Sequence, residues 1–146
     1  MSVGNIAQTF IKALEKADFP QMKALMAEDV VNYVTNWEGT SDQVIGREAY
    51  LERVRAMDIP SAKLSLSIPQ ALPLAPDKVL LMVEVKAERS GKTLHNFSAI
   101  LFQMKEGKIT HSWMVEALPQ KSDEFWKSSG RVECSHPRGK KRSTPR

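Results

Sequence analysis

The hydrophobic pattern is clearest over residues 78–116, where three apolar stretches are separated by two short turns. The first stretch, 79–87, is rich in β-branched and aliphatic residues, and the turns carry the sequences Ser90-Gly91 and Glu106-Gly107. Strands joined by turns this short pair antiparallel. The pattern therefore predicts a three-stranded antiparallel meander, which the preceding part of the chain is expected to cover.

Three helices are predicted upstream of the meander, because apolar residues there recur three or four positions apart. The first runs over about 3–17 and places Ile6, Phe10 and Leu14 on one face. The second is short and begins near Pro20, since proline fits the first turn of a helix. The third covers 47–57.

Two further strands are predicted between and after these helices. Residues 30–37 switch to strand chemistry, and 61–68 alternate between apolar and polar positions. Residues 38–42 are interpreted as a polar loop, and the prolines that follow residue 68 argue against regular structure there. Helices followed by a run of antiparallel strands predict an α+β fold with the helices on one face of a curved sheet, an arrangement that favours a pocket.

Length and charge divide the chain into a folded domain, 1–127, and a basic tail, 128–146. The formal charge is +4, but six basic residues and one acidic residue from position 131 onward give that segment +5, which leaves −1 for residues 1–130. A nearly neutral domain with a basic, aperiodic end predicts a disordered tail. We therefore do not expect nucleic-acid binding.

Composition narrows the setting further. No apolar run approaches the roughly 18 residues that would span a bilayer, so no membrane attachment is expected. The N-terminal residues have no basic region followed by an apolar core, so no signal peptide is expected either. Cys134 is the only cysteine, which favours a reducing cytoplasm. Three histidines without helical pairing to a carboxylate predict neither a metal site nor a cofactor.

Several segments resemble the nuclear transport factor 2-like superfamily, and in particular its SnoaL-like and ketosteroid isomerase-like branch. They are 13–19, 25–30, 45–49 and 106–109 together with Trp113, and the similarity extends over about 3–117. The resemblance implies a cone-shaped α+β barrel with an apolar cavity, a small apolar ligand, and a homodimer formed through the convex face of the sheet. An exposed sheet that needs cover agrees with such a dimer.

The acids and the tyrosine that the related enzymes use are missing at the matching positions. The helical tyrosine that polarises a substrate carbonyl is matched by Phe10, and the aspartates are matched by Val34, Ile100 and Met114. The resemblance therefore implies a cavity without the usual catalytic acids. Strand parity and the resemblance together give the expected ligand-binding residues: Phe10, Asn32, Val34, Ser98, Ile100, Phe102, Ser112 and Met114.

Three functions remain open at this point. The first is binding of a small apolar molecule. The second is an isomerase, cyclase or hydratase that acts on a ketone, polyketide or epoxide-like substrate and uses Asn32, Ser98 and Glu116 in place of the usual aspartates. The third is a protein-interaction domain whose cavity is filled by side chains. His95 and His111 alternate with the cavity positions and are expected on the outer sheet face.

Overall fold

The computed structural model describes residues 2–127, and the predicted basic tail, including Cys134, lies outside the described residues. The elements along the chain are helices α1 (Val3–Glu15) and α2 (Phe19–Leu25), strands β1 (Met26–Thr35) and β2 (Ser41–Ile45), helix α3 (Arg47–Arg55), a 3₁₀ turn (Ile59–Ser61), strands β3 (Ser65–Ala75), β4 (Lys78–Arg89), β5 (Lys92–Lys105) and β6 (Lys108–Glu116), and helix α4 (Pro119–Lys127).

The six strands form one curved sheet in the order β2-β1-β6-β5-β4-β3. The predicted meander is confirmed, because β4–β5 and β5–β6 pair antiparallel along nearly their whole lengths. The predicted antiparallel sheet departs from expectation at one pair, since β1 pairs with β6 in parallel. A long stretch of chain separates these two strands, so no short turn forces their direction.

The three N-terminal helices are confirmed and pack on the inner face of the sheet. Helix α1 begins with Ser2, whose Oγ accepts a hydrogen bond from the Asn5 backbone N–H at 3.1 Å, and α2 begins with Asp18 as its cap. The side chains of Ile6 and Phe10 on α1 are buried in the core, as their spacing predicts. The α+β class is therefore correct, and α4 adds a fourth helix.

Strand β2 and the second half of strand β3 were interpreted as irregular from the sequence, and both are edge strands. Strand β2 lies within and beyond the predicted polar loop and pairs with β1, with Thr35 opposite Ser41. Strand β3 continues through Pro69 and Pro73, and its register shifts near each of them. Because β3 is the last strand of the sheet, one side of it needs no hydrogen-bond partner, and proline is tolerated there.

Candidate functional site

A cavity of about 370 Å³ lies between the inner face of the sheet, helices α1 and α3, and helix α4. Apolar side chains supply most of its wall, and a few polar groups stand among them. Its size and lining are typical of sites that bind small molecules. The apolar part of the wall includes Ile11, Leu14, Val34, Val54, Leu66, Val83, Val85, Ile100 and Met114.

Five of the nine candidate site residues named from the sequence line this cavity. They are Val34, Ser98, Ile100, Met114 and Glu116. Ser98 stands directly opposite Glu116 in the β5–β6 register, and Ile100 stands opposite Met114 one level further along. Alternation along the strands therefore assigns these side chains to the inner face.

The other four predicted ligand-binding residues lie below the cavity instead of lining it. Phe10 and Phe102 pack edge to face with ring centroids 6.0 Å apart, and both are buried. Ser112 donates a hydrogen bond from its Oγ to Oδ1 of Asn32, and both side chains are buried. Alternation along the strands assigned Asn32, Phe102 and Ser112 to the inner face, but these side chains and Phe10 are packed in the core and do not line the cavity.

Asn32 keeps one polar atom without a partner. Its Nδ2 is buried and makes no hydrogen bond with any residue that the structure describes. Asn32 is therefore a core amide whose side-chain oxygen accepts a hydrogen bond from Ser112 and whose side-chain nitrogen has no partner among the described residues. It is separate from Ser98 and Glu116. The three candidate catalytic residues do not form one cluster.

The positions of the usual catalytic aspartates are apolar here, but three carboxylates line the cavity elsewhere. Glu116 was considered in the sequence, whereas Asp42 and Asp123 were not. Asp42 lies on β2, the strand that was interpreted as a loop, and Asp123 lies on α4. Both elements lie outside the predicted sheet, so alternation along a predicted strand could not assign either side chain to the cavity.

Asp42 belongs to a small network of hydrogen bonds. Its Oδ1 accepts a bond from Nδ2 of Asn36 at 3.0 Å, and its Oδ2 accepts one from Nη2 of Arg53 at 3.0 Å. Burial works in the opposite direction, but these two donors and the positive charge of Arg53 lower the pKa of Asp42 below its usual value. Asp42 is therefore an ionised carboxylate whose charge is matched by Arg53.

Glu116 has a different environment. Burial raises the pKa of its carboxyl, a hydrogen bond from Ser122 lowers it, and the nearby charge of Asp123 raises it again. Ser122 Oγ donates to Oε2 of Glu116 at 2.9 Å. The carboxyl pKa remains above its ordinary value, which is typical of residues that take part in binding or proton transfer.

Tyr50 adds a neutral hydroxyl to the wall. Burial raises the pKa of Tyr50 to about 12, while the charge of Arg53 lowers it by a smaller amount. The ring lies 6.1 Å from that of Phe10, measured between centroids. Tyr50 therefore stays protonated at neutral pH and can donate a hydrogen bond inside the cavity.

Helix α4 closes one side of the cavity with Pro119, Ser122, Asp123 and Trp126. Arg89 holds the far end of this helix, since its Nη2 donates to the backbone oxygens of Phe125 at 3.5 Å and Trp126 at 3.2 Å. The near end is held by Asn96, which exchanges two hydrogen bonds with the backbone of Leu118. Helix α4 is not among the three helices predicted from the sequence.

Both histidines of the domain lie away from the cavity. The side chain of His95 is 55% exposed, and its Nε2 lies 2.6 Å from Oε2 of Glu84 on the outer face of the sheet. His111 stacks on Trp113, with ring centroids 5.5 Å apart. This position agrees with the expectation from strand parity.

Residues 2–127 contain neither a group of metal-binding side chains nor a helix suited to a membrane. Within that range, no three His, Cys, Asp or Glu side chains are grouped so that they could hold a metal ion. None of the helices in that range combines the length and the apolar character that crossing a membrane requires.

Solved structures with the same fold come from several sources. Bal32a, from a soil-derived mobile gene cassette, is 20% identical and superposes with a TM-score of 0.73 over 85% of this chain and 95% of its own. An epoxide hydrolase of Mycobacterium tuberculosis, described as LEH-like, is 16% identical, with a TM-score of 0.68 over 83% and 86%. Rv0760c of Mycobacterium tuberculosis, in complex with estradiol-17β-hemisuccinate, is 22% identical, with a TM-score of 0.65 over 78% and 93%.

A search of curated proteins finds no match. The model of the SnoaL-like domain, in contrast, matches residues 7–112, which is more than half of the chain and extends from within α1 to the middle of β6. Fold, cavity and family model agree, and the chain belongs to the SnoaL-like domain family.

Proposed function

We propose that this protein binds a small apolar molecule in the cavity between its sheet and helices. The observation that supports this most directly is the cavity itself, about 370 Å³ in volume and walled mainly by aliphatic side chains. An apolar ligand that fills a cavity of this size removes its apolar wall from water, which favours binding. Structures of the same fold include one with a bound estradiol derivative, and another is a designed binder of 17-OHP.

The alternative of a filled interaction domain requires a cavity packed with side chains. Met114 and Trp37 line the open volume, and Phe102 lies beneath it against Phe10. None of the three fills the space. The open volume therefore favours ligand binding over an interaction domain with a closed core.

Native mass spectrometry of the freshly purified protein tests the proposal directly, together with titration of the neutral apolar dye Nile red. A Ser98→Leu variant adds an apolar side chain to the wall and is expected to weaken dye binding several-fold. Gln103→Leu on the outer sheet face is the matched control and is expected to leave dye binding unchanged. Equal dye binding in the wild type and in Ser98→Leu would count against the cavity as the binding site.

A second candidate function is acid–base catalysis on a bound ketone, polyketide or epoxide-like molecule. Glu116 supports it, because a partly buried carboxyl with a raised pKa is a better proton acceptor than an ordinary, exposed glutamate. Ser98 faces it across the register. Glu116→Gln should then abolish turnover of a screened substrate without weakening dye binding, whereas Asn32→Ala should act through stability alone.

The convex face of the sheet supports a homodimer. Phe97 and Val115 are 47% and 65% exposed there, and Met82 is 39% exposed. Tyr33 and Trp113 stack with centroids 5.8 Å apart and extend this face towards β1. Exposed apolar and aromatic groups on one sheet face are typical of protein interfaces. The cytoplasmic location remains a prediction from the sequence.

A further inference from the structure

Glu116 is a carboxyl group on the cavity wall that forms no ion pair with any residue in 2–127. Its Oε2 accepts one hydrogen bond, from Ser122, and its Oε1 accepts none from the described residues. Partial burial without a cation is unfavourable for a carboxylate, because water is removed and nothing replaces its charge stabilisation.

The other acids of the wall do not share this situation. Asp42 pairs with Arg53, with 3.0 Å between Oδ2 and Nη2. Asp123 pairs with Lys127, with 3.3 Å between Oδ2 and Nζ. Each of these charges is matched nearby, so the unmatched negative charge of the cavity is concentrated at Glu116.

The surroundings of Glu116 strengthen this asymmetry. Helix α4 places Asp123 close enough to raise the pKa of Glu116 by like-charge repulsion. Helix α3 contributes Arg53, which forms an ion pair with Asp42, and the neutral phenol of Tyr50. Strand β5 contributes the neutral hydroxyl of Ser98. No lysine among residues 2–127 lines the cavity, so the described wall offers a ligand more negative than positive charge.

We propose that the ligand is an apolar molecule carrying a protonated amine, whose ammonium group binds Glu116 and the hydroxyl of Ser98. The apolar body would lie against the next level of the wall, where Ile100 and Met114 stand opposite each other. This inference rests on the proposed ligand-binding function and names the chemical class of its ligand. A charge-assisted hydrogen bond from an ammonium to a shielded carboxylate is strong because it replaces lost hydration on both sides.

Three adamantane derivatives with one apolar skeleton test the inference: adamantylamine, adamantanol and adamantane carboxylate. Their affinities are measured by competition against Nile red and by calorimetry at neutral pH. The wild type is expected to bind the amine about tenfold tighter than the alcohol, and the carboxylate weakest. In Glu116→Gln, binding of the alcohol should persist while the preference for the amine disappears. Glu52→Gln, which changes a side chain that is 78% exposed, is the matched control and should keep the preference.

The outcomes separate this inference from the proposed function. If Nile red binds and Ser98→Leu weakens its binding, but the amine binds no tighter than the alcohol, the amine inference is wrong and ligand binding stands. A preference for the amine that survives in Glu116→Gln also overturns it. If Nile red and all three derivatives fail to bind, both the proposed function and this inference are overturned.

Discussion

Arg89 is predicted to be the main anchor of helix α4, and replacing it with methionine removes the guanidinium while keeping an unbranched apolar stem. Its Nη1 donates to the backbone oxygens of Met57 at 3.1 Å and Asp58 at 3.3 Å, and to Ser61 Oγ at 2.8 Å. Its Nη2 reaches the last turn of α4, and its guanidinium lies over the rings of Phe125 and Trp126 at 5.4 and 5.3 Å. One side chain therefore joins the segment after α3 to α4.

The expected loss in the free energy of unfolding depends on the hydrogen-bond acceptors that lose Arg89 as their donor. Arg89 is only 8% exposed, and no carboxylate among residues 2–127 pairs with it, so its charge is stabilised by carbonyl oxygens and aromatic faces. Asp58 and Ser61 are exposed and can bind water in the variant, whereas the oxygen of Phe125 belongs to a buried residue. Leaving one or two buried acceptors unsatisfied gives an expected loss of about 2–4 kcal/mol in the free energy of unfolding.

Urea unfolding followed by tryptophan fluorescence measures this loss, and hydrogen exchange of the α4 amides shows where it acts. Arg55→Met is the matched control: that arginine is 46% exposed and pairs with Glu52, so its loss is expected to cost less than about 1 kcal/mol. If Arg89→Met is as stable as Arg55→Met, or if α4 exchanges at the wild-type rate, Arg89 does not anchor the helix. The variant should also bind Nile red more weakly, because Trp126 lines the cavity.

Three further predictions concern the core, the cavity and the outer face. Ser112→Ala removes the hydroxyl that donates to Asn32 and should destabilise the protein by about 1–3 kcal/mol in urea unfolding, with part of the loss recovered when Asn32→Val is added. Glu116→Gln should raise the melting temperature at neutral pH. Burial raises the pKa of Glu116, so the wild type loses stability as pH rises through that raised pKa. The gain in melting temperature of Glu116→Gln should therefore vanish well below pH 4.5, the ordinary pKa of a glutamate. A gain in melting temperature that is independent of pH would contradict this. Phe97→Glu should convert a dimer of the wild type into a monomer in light scattering at micromolar concentration, and a wild type that is already monomeric would refute the dimer.

Local patterns were sufficient for much of this fold. The first helix follows from the spacing of its apolar residues, and the meander follows from two glycine-containing turns. The face taken by Ser98, Ile100 and Met114 follows from alternation along a strand, because successive side chains must point to opposite sides of a sheet. These features depend on neighbours in the sequence, and the sequence therefore determined them.

The site itself was decided by contacts between distant parts of the chain. Alternation specifies the face of a side chain but not its level along the sheet, so Asn32 and Ser112 were assigned to the cavity although the core buries them below it. The parallel pairing of β1 with β6 and the position of α4 have no local signal. Only the folded chain brings Ser122 and Asp123 to Glu116, because register and helix packing are set by the total burial of apolar surface and not by any single segment.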